Sequence, residues 1–187
     1  MSVVVEEKNN EALRKALSEI TTQHIRKQAH EQIHLIEGLR EQYGHSISLV
    51  QQALPGRPET GQFTCYQYAF NLVDAPPEVV RIASDHQKIY PNPAFVQYLI
   101  DQVLTELPAP KDGCVIVYSD GQGIKHAGKM QGQMVVSKWG TAHLWRHQIY
   151  EVPITYGSDV RFFEAIQAEQ SVQAFLRYAE RELAKER

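Results

Sequence analysis

The second half of the chain consists of short apolar runs cut by turn dipeptides, and this limits the possible folds more than any other feature. Cys114–Ser119, Ile124–Met130 and Met134–Trp139 each have the length of a strand, with Asp120-Gly121 and Gln131-Gly132 between them. Such dipeptides favour the positive φ values of tight hairpins, so the three runs predict an antiparallel meander. Further strands are expected around Trp145–Tyr150 and Val160–Phe163.

The first half has a different period. From Glu6 to about Tyr43, apolar residues such as Leu13, Leu17, Ile20, Ile33, Ile36 and Leu39 recur at helical spacing. This predicts one long amphipathic helix or a helical pair with a weak point near Thr21-Thr22, ended by Gly44. Ile47–Leu54 reads as a short second helix. Pro55-Gly56-Arg57-Pro58 is a loop and the expected boundary between a helical N-terminal extension (1–55) and a catalytic body (56–187). Thr64 is placed to cap a helix from Cys65 to about Val73. Further helices are expected over Glu78–Ser84, from Pro93 through Leu107, and from about Glu164 to Glu186. The apolar side of the last one, with Phe175, Leu176, Ala179 and Leu183, needs a partner such as the N-terminal helix. Helices followed by an antiparallel sheet and a final helix make the chain α+β.

Composition excludes several classes. The net charge is −3 and basic residues are interleaved with acidic ones, so no nucleic-acid footprint is expected. No apolar run would span a bilayer, and the start Met1-Ser2-Val3-Val4-Val5 lacks a basic leader, so a cytoplasmic protein is expected. Two cysteines in a reducing compartment read as free thiols, with Cys114 in the core of its strand.

Cys65 is the candidate nucleophile. A thiol needs a lowered pKa, which a helix N-terminus helps to supply, and a base within reach. His126, in Lys125-His126-Ala127-Gly128, is that base, followed by small residues that leave room for close approach. If Gln131-Gly132 forms a two-residue turn, His126 faces Ser137, the better candidate to orient the imidazole. A three-residue turn brings Lys138 opposite instead, which only donates hydrogen bonds when charged. His143 and His147 follow soon after, and a dyad with no third residue remains open. Such a pair would titrate as a unit, with thiol reactivity persisting below the free-cysteine range of about 8.5.

The segment Gly61-Gln62-Phe63-Thr64-Cys65-Tyr66-Gln67-Tyr68-Ala69 is similar to the cysteine-helix start of CHAP domains. Asp112-Gly113-Cys114-Val115-Ile116-Val117-Tyr118, then Lys125-His126-Ala127-Gly128, resembles the strand, turn and histidine strand of NlpC/P60 proteins. Thr64-Cys65-Tyr66 departs from the Asp-Cys-Ser common in that family, and Ser137-Lys138 stands where it usually has His, Asn, Gln or an acid. The resemblance implies a papain-like core and a cysteine hydrolase or amidase. It would cleave an amide, ester or thioester in a peptide or amide-containing substrate through a thioacyl intermediate, with no metal or organic cofactor. The alternative is a catalytically degenerate binding module on the same fold. The N-terminal helix is expected to serve assembly, through a second copy or another protein. One motif competes: His30-Glu31-Gln32-Ile33-His34 matches H-E-x-x-H, which would make a zinc metallopeptidase if a third ligand existed.

Overall fold

A computed structural model describes residues 2–24, 29–53, 63–76, 79, 82, 89–140 and 142–185. The chain is α+β. Helices α1 (Ser2–His24) and α2 (Ala29–Tyr43) lead into strand β1 (Ser48–Gln51). Then come α3 (Cys65–Ala69), α4 (Pro93–Gln102) and the short β2 (Glu106–Leu107). Strands β3 (Val115–Asp120), β4 (Gly123–Gln131), β5 (Met134–Lys138) and β6 (Leu144–His147) follow. A 3-10 turn (Ile154–Tyr156), β7 (Asp159–Phe163) and α5 (Ala168–Ala184) complete the chain. The seven strands form one sheet in the order β1-β6-β5-β4-β3-β7-β2, with every pairing antiparallel. The expected loop at Pro55–Pro58, and most of the expected helix over 78–84, lie outside the described residues.

Alternation along the strands sends side chains to two faces, and both faces are covered. On one, Ile116, Tyr118, Met130, Val135, Trp139 and Trp145 pack with Leu13 and Leu17 of α1 and Ile36 of α2. Cys114, just before β3, is fully buried in that layer. On the other, Val115, Val117, Ala127 and Phe163 pack with Ala69 and Phe70 and with residues of α4 and α5. The apolar stripe of α5 is therefore spent on α4 and not on the N-terminal helices. Phe95 meets Phe175 edge-on at 5.4 Å and Tyr178 at 5.4 Å.

Residues 48–51 form a strand where the apolar run suggested a helix. The cause lies just upstream. Gly44, at φ +65, ends α2 with its N–H on the Arg40 carbonyl. His45 then bridges the turn: Nδ1 accepts from the Ile47 N–H, which leaves Nε2 to donate to the Ile36 carbonyl at 2.8 Å. The chain leaves in an extended course, and Leu49 pairs with Trp145. The first 55 residues thus supply an edge strand and half the cover of the sheet. The helix from Pro93 also stops early, at Gln102, because Glu106 and Leu107 pair with Phe163 and Phe162.

The body is tightest where the 3-10 turn meets β3. Gly157 has φ +91, and a Cβ there would lie 2.1 Å from the Ser119 carbonyl oxygen. Gly157→Ala should cost roughly 2–4 kcal/mol in chemical denaturation. Gly121→Ala, whose Cβ would meet nothing within 4 Å, should shift stability by less than about 1 kcal/mol. Equal midpoints for the two variants would refute this packing of Gly157.

Candidate active site

The nucleophile candidate opens a helix, as its sequence neighbours suggest. The Thr64 hydroxyl accepts from the Gln67 N–H at 3.2 Å, and the Gln67 side chain accepts from the Thr64 N–H at 2.8 Å. This reciprocal capping box fixes Cys65 as the first helical residue. Cys65 is half-buried, and its thiol lies against the backbone N–H of Ala127 in β4 as well as those of Tyr66 and Cys65 itself. Burial nevertheless pushes the thiol up to about 12, outweighing the three amides. The sequence led us to expect a lowered value. A five-residue helix supplies little dipole, and desolvation of the thiolate dominates.

His126 stands on β4 opposite Tyr118 and is 1% exposed. Its ring stacks on Tyr156 at 4.0 Å between centroids and 15° between planes, and leans on Tyr118 at 5.6 Å. Nε2 is buried and makes no hydrogen bond. Burial, with a smaller contribution from His147, holds the imidazole well below its ordinary range. The thiol therefore touches the backbone of the residue that follows His126 in β4.

The β4–β5 register corrects the expected orienting residue. Gln131 pairs with Met134, so the loop is Gly132-Gln133 with Gly132 at φ +62. Met130 then faces Val135, Lys129 faces Val136, and Gly128 comes against Ser137: a Cβ on Gly128 would sit 2.9 Å from the Ser137 Cβ. Neither Ser137 nor Lys138 is opposite His126. The Ser137 hydroxyl sits 2.8 Å from His147 Nε2 and accepts from Trp139 Nε1 at 3.1 Å. His147 Nδ1 lies 2.7 Å from the Gln148 carbonyl, which can only accept, so Nδ1 carries the proton and Ser137 donates to Nε2. His143 Nδ1 accepts from the Ala53 N–H. Lys138 donates to the Ala142 carbonyl at 2.7 Å and lies over the Phe63 ring, and burial lowers its ammonium to about 8.

Tyr156 is the site residue that sequence reasoning left undistinguished among the aromatics. Its hydroxyl oxygen accepts from the Gly140 N–H at 3.1 Å, and the charge of a Cys65 thiolate would act on it directly. The signal for it was the adjacent Gly157, whose positive φ and close approach to Ser119 mark a constrained turn. Arg14 of α1 secures that turn, donating through Nε to the Val152 carbonyl, through one terminal nitrogen to Ser158 Oγ and through the other to the Gly157 carbonyl.

The H-E-x-x-H segment lies on α2. The side chain of His30 is outside the described residues, while that of His34 is 80% exposed, 3.9 Å from the Glu37 carboxylate. Among the described residues no group of three His, Cys, Asp or Glu side chains could hold a metal ion. None of the helices there is long and apolar enough to cross a membrane.

The buried histidines make stability pH-dependent. His147 is held near 4 by burial, against 6.5 for an ordinary imidazole, and His126 is shifted the same way. Between those values the unfolded chain binds protons that the folded chain refuses, so stability rises with pH and is lost as pH falls from about 6.5 towards 4. His147 alone should contribute about 3 kcal/mol of this loss. The denaturant midpoint should fall accordingly between pH 7 and 4.5, and His147→Gln should flatten the slope. A midpoint constant over that range would show that the histidines are not buried neutral.

No family model, curated protein or solved structure matches the chain, so the functional argument rests on the geometry of Cys65, His126 and Tyr156.

Proposed function

We propose that the chain is a cysteine-dependent hydrolase of amide, ester or thioester bonds, working in the cytoplasm on a peptide or other amide-containing substrate. Cys65 is its nucleophile and His126 its base, on a papain-like core of the NlpC/P60 and CHAP kind. One observation carries the reading: the Cys65 thiol lies against the backbone of Ala127, the neighbour of His126, while Tyr156 stacks on the imidazole and lies within electrostatic reach of the thiol. The resemblance of Gly61–Ala69 and of Asp112–Gly128 to those families supports it.

The shifted pKa values define the resting state. Each group alone is held neutral by burial, the thiol because its anion is poorly solvated and the imidazole because its cation is. Proton transfer from Cys65 to His126 therefore accompanies attack on the carbonyl carbon. The sulfur–carbon bond forms, and the carbonyl oxygen takes the electron pair under the backbone N–H of Cys65. His126 returns the proton to the leaving group, which departs to give the thioacyl enzyme. Water then attacks, giving its proton to His126, and the thiol is regenerated as the acid leaves.

The catalytically degenerate binding module keeps one supporting observation: Ser137 and His147 are hydrogen-bonded to each other and to Trp139 and the Gln148 carbonyl, while Lys138 bonds the Ala142 carbonyl and His143 the Ala53 N–H. Acylation by p-nitrophenyl acetate, followed by intact mass, separates the two readings. The wild type should form an adduct on Cys65, and Cys65→Ala should form none while keeping its circular dichroism. An adduct-free wild type would leave only the binding module.

Alkylation checks the electrostatics on its own. Iodoacetamide should modify Cys65 more slowly than free cysteine at pH 8.5, with a rate that still climbs at pH 10, because the thiol titrates near 12. Cys114 is fully buried and should resist modification throughout the folded range. A rate that levels off below pH 8 would show a preformed thiolate.

A further inference from the structure

The imidazole of a catalytic base must be held in one plane, and a hydrogen bond to its second nitrogen is the usual means. Of the residues that sequence suggests for that task, Ser137, Lys138, His143 and His147, two are engaged with each other: Ser137 bonds His147 and Trp139, and His147 bonds Ser137 and Gln148. His126 Nε2 has no hydrogen bond, and its aromatic contacts are Tyr118 and Tyr156. We infer that Tyr156 is the positioning residue of the Cys65–His126 site, fixing the imidazole plane by stacking where a hydrogen-bonded third residue would otherwise do so. The inference rests on the hydrolase reading and deepens it.

Two features suit Tyr156 to the task. Its ring is nearly parallel to His126, at 15° and 4.0 Å, so rotation of the imidazole about its Cβ–Cγ bond drives it into the tyrosine face. The tyrosine is itself fixed at both ends. Its hydroxyl is tied to the Gly140 N–H where β5 ends, and its backbone belongs to the turn that Arg14 clamps through Val152, Gly157 and Ser158. Tyr118 completes the slot from the neighbouring strand, with its own hydroxyl donating to the Ile149 carbonyl at 2.8 Å. The imidazole is thereby held between two anchored rings without a hydrogen bond at Nε2.

The test uses the full chain, with acylation of Cys65 by p-nitrophenyl acetate as the kinetic readout. Tyr156→Leu should slow acylation roughly a hundredfold, the scale of a base displaced by about an ångström. Tyr156→Phe keeps the ring and loses only the Gly140 anchor, so it should stay within about fivefold of wild type. In the proton spectrum, the His126 ring resonances should carry the upfield shift of a stacked aromatic in the wild type and in Tyr156→Phe, and lose it in Tyr156→Leu. Tyr156→Leu acylating at the wild-type rate, or Tyr156→Phe falling as far as Tyr156→Leu, would overturn the positioning role and leave the hydrolase reading standing. Unshifted His126 resonances in the wild type would overturn it even if Tyr156→Leu did not fold. Failure of the wild type to acylate would overturn the hydrolase reading, and this role with it.

Discussion

The guanidinium of Arg14 joins the first helix of the chain to the 3-10 turn before β7. A cation that is only 7% exposed is costly to bury unless its donors are met, and here two carbonyls and a hydroxyl meet them. All three acceptors belong to the segment from Val152 to Ser158, some 140 residues further along the chain. Ser18, one turn further along α1, adds a contact to Thr155. With Leu13 and Leu17 in the same core layer, α1 is docked by apolar burial and oriented by Arg14. The turn it holds carries Tyr156, and Tyr156 carries the plane of His126. A segment that looks like an appendage in the sequence is therefore two contacts away from the base.

Covering both faces of the sheet also decides the electrostatics. A half-wet antiparallel sheet would leave His126 titrating in its ordinary range. Here α1, α2 and the 3-10 turn close one face and α3, α4 and α5 the other. Desolvation is the largest cause of the shift at Cys65, His126 and His147 alike. The thiol moves up and the imidazoles move down, so each group rests neutral for the same physical reason. The Ser137–His147–Gln148 chain is what such an interior requires: both nitrogens of a neutral histidine are satisfied, with the tautomer fixed by a carbonyl. His126, near enough for His147 to contribute to its shift, lacks that treatment at Nε2, and the proposed role of His126 as base draws on this contrast between the two buried histidines.

The meander, the buried Cys114 and the capped start of α3 were legible in the sequence, because each is set by residues next to one another. Asp120-Gly121, Gln131-Gly132 and Thr64 with Gln67 are local devices. The hairpin register was not legible. Placing the loop at Gly132-Gln133 instead of Gln131-Gly132 slides the pairing by two residues, which keeps Ser137 on the face of His126 but moves it opposite Gly128. Alternation of apolar and polar residues cannot detect such a slip, since it preserves every face. Strand β1 escaped for a related reason: all four of its residues are exposed, so no buried pattern marks it, and its pairing with β6 is decided by the His45 turn. Tyr156 escaped because a stack between residues 30 positions apart leaves no trace in spacing.

For the proposed hydrolase, a resting neutral pair has a consequence. The thiolate is the form that metals, oxidants and stray electrophiles attack, and a cysteine poised as a preformed thiolate is exposed to all of them. With its pKa near 12, Cys65 is almost wholly protonated at neutral pH. In the proposed mechanism, charge appears on the sulfur only when a carbonyl is present to receive the electron pair and His126 to receive the proton. The same burial that makes the thiolate costly makes the imidazolium costly, but the two opposite charges formed together attract in a medium of low polarity, which offsets part of both costs. That compensation requires the two groups to keep a fixed separation. A rigid imidazole is then a condition for the chemistry, and it is met here by stacked rings, a clamped turn and a buried arginine.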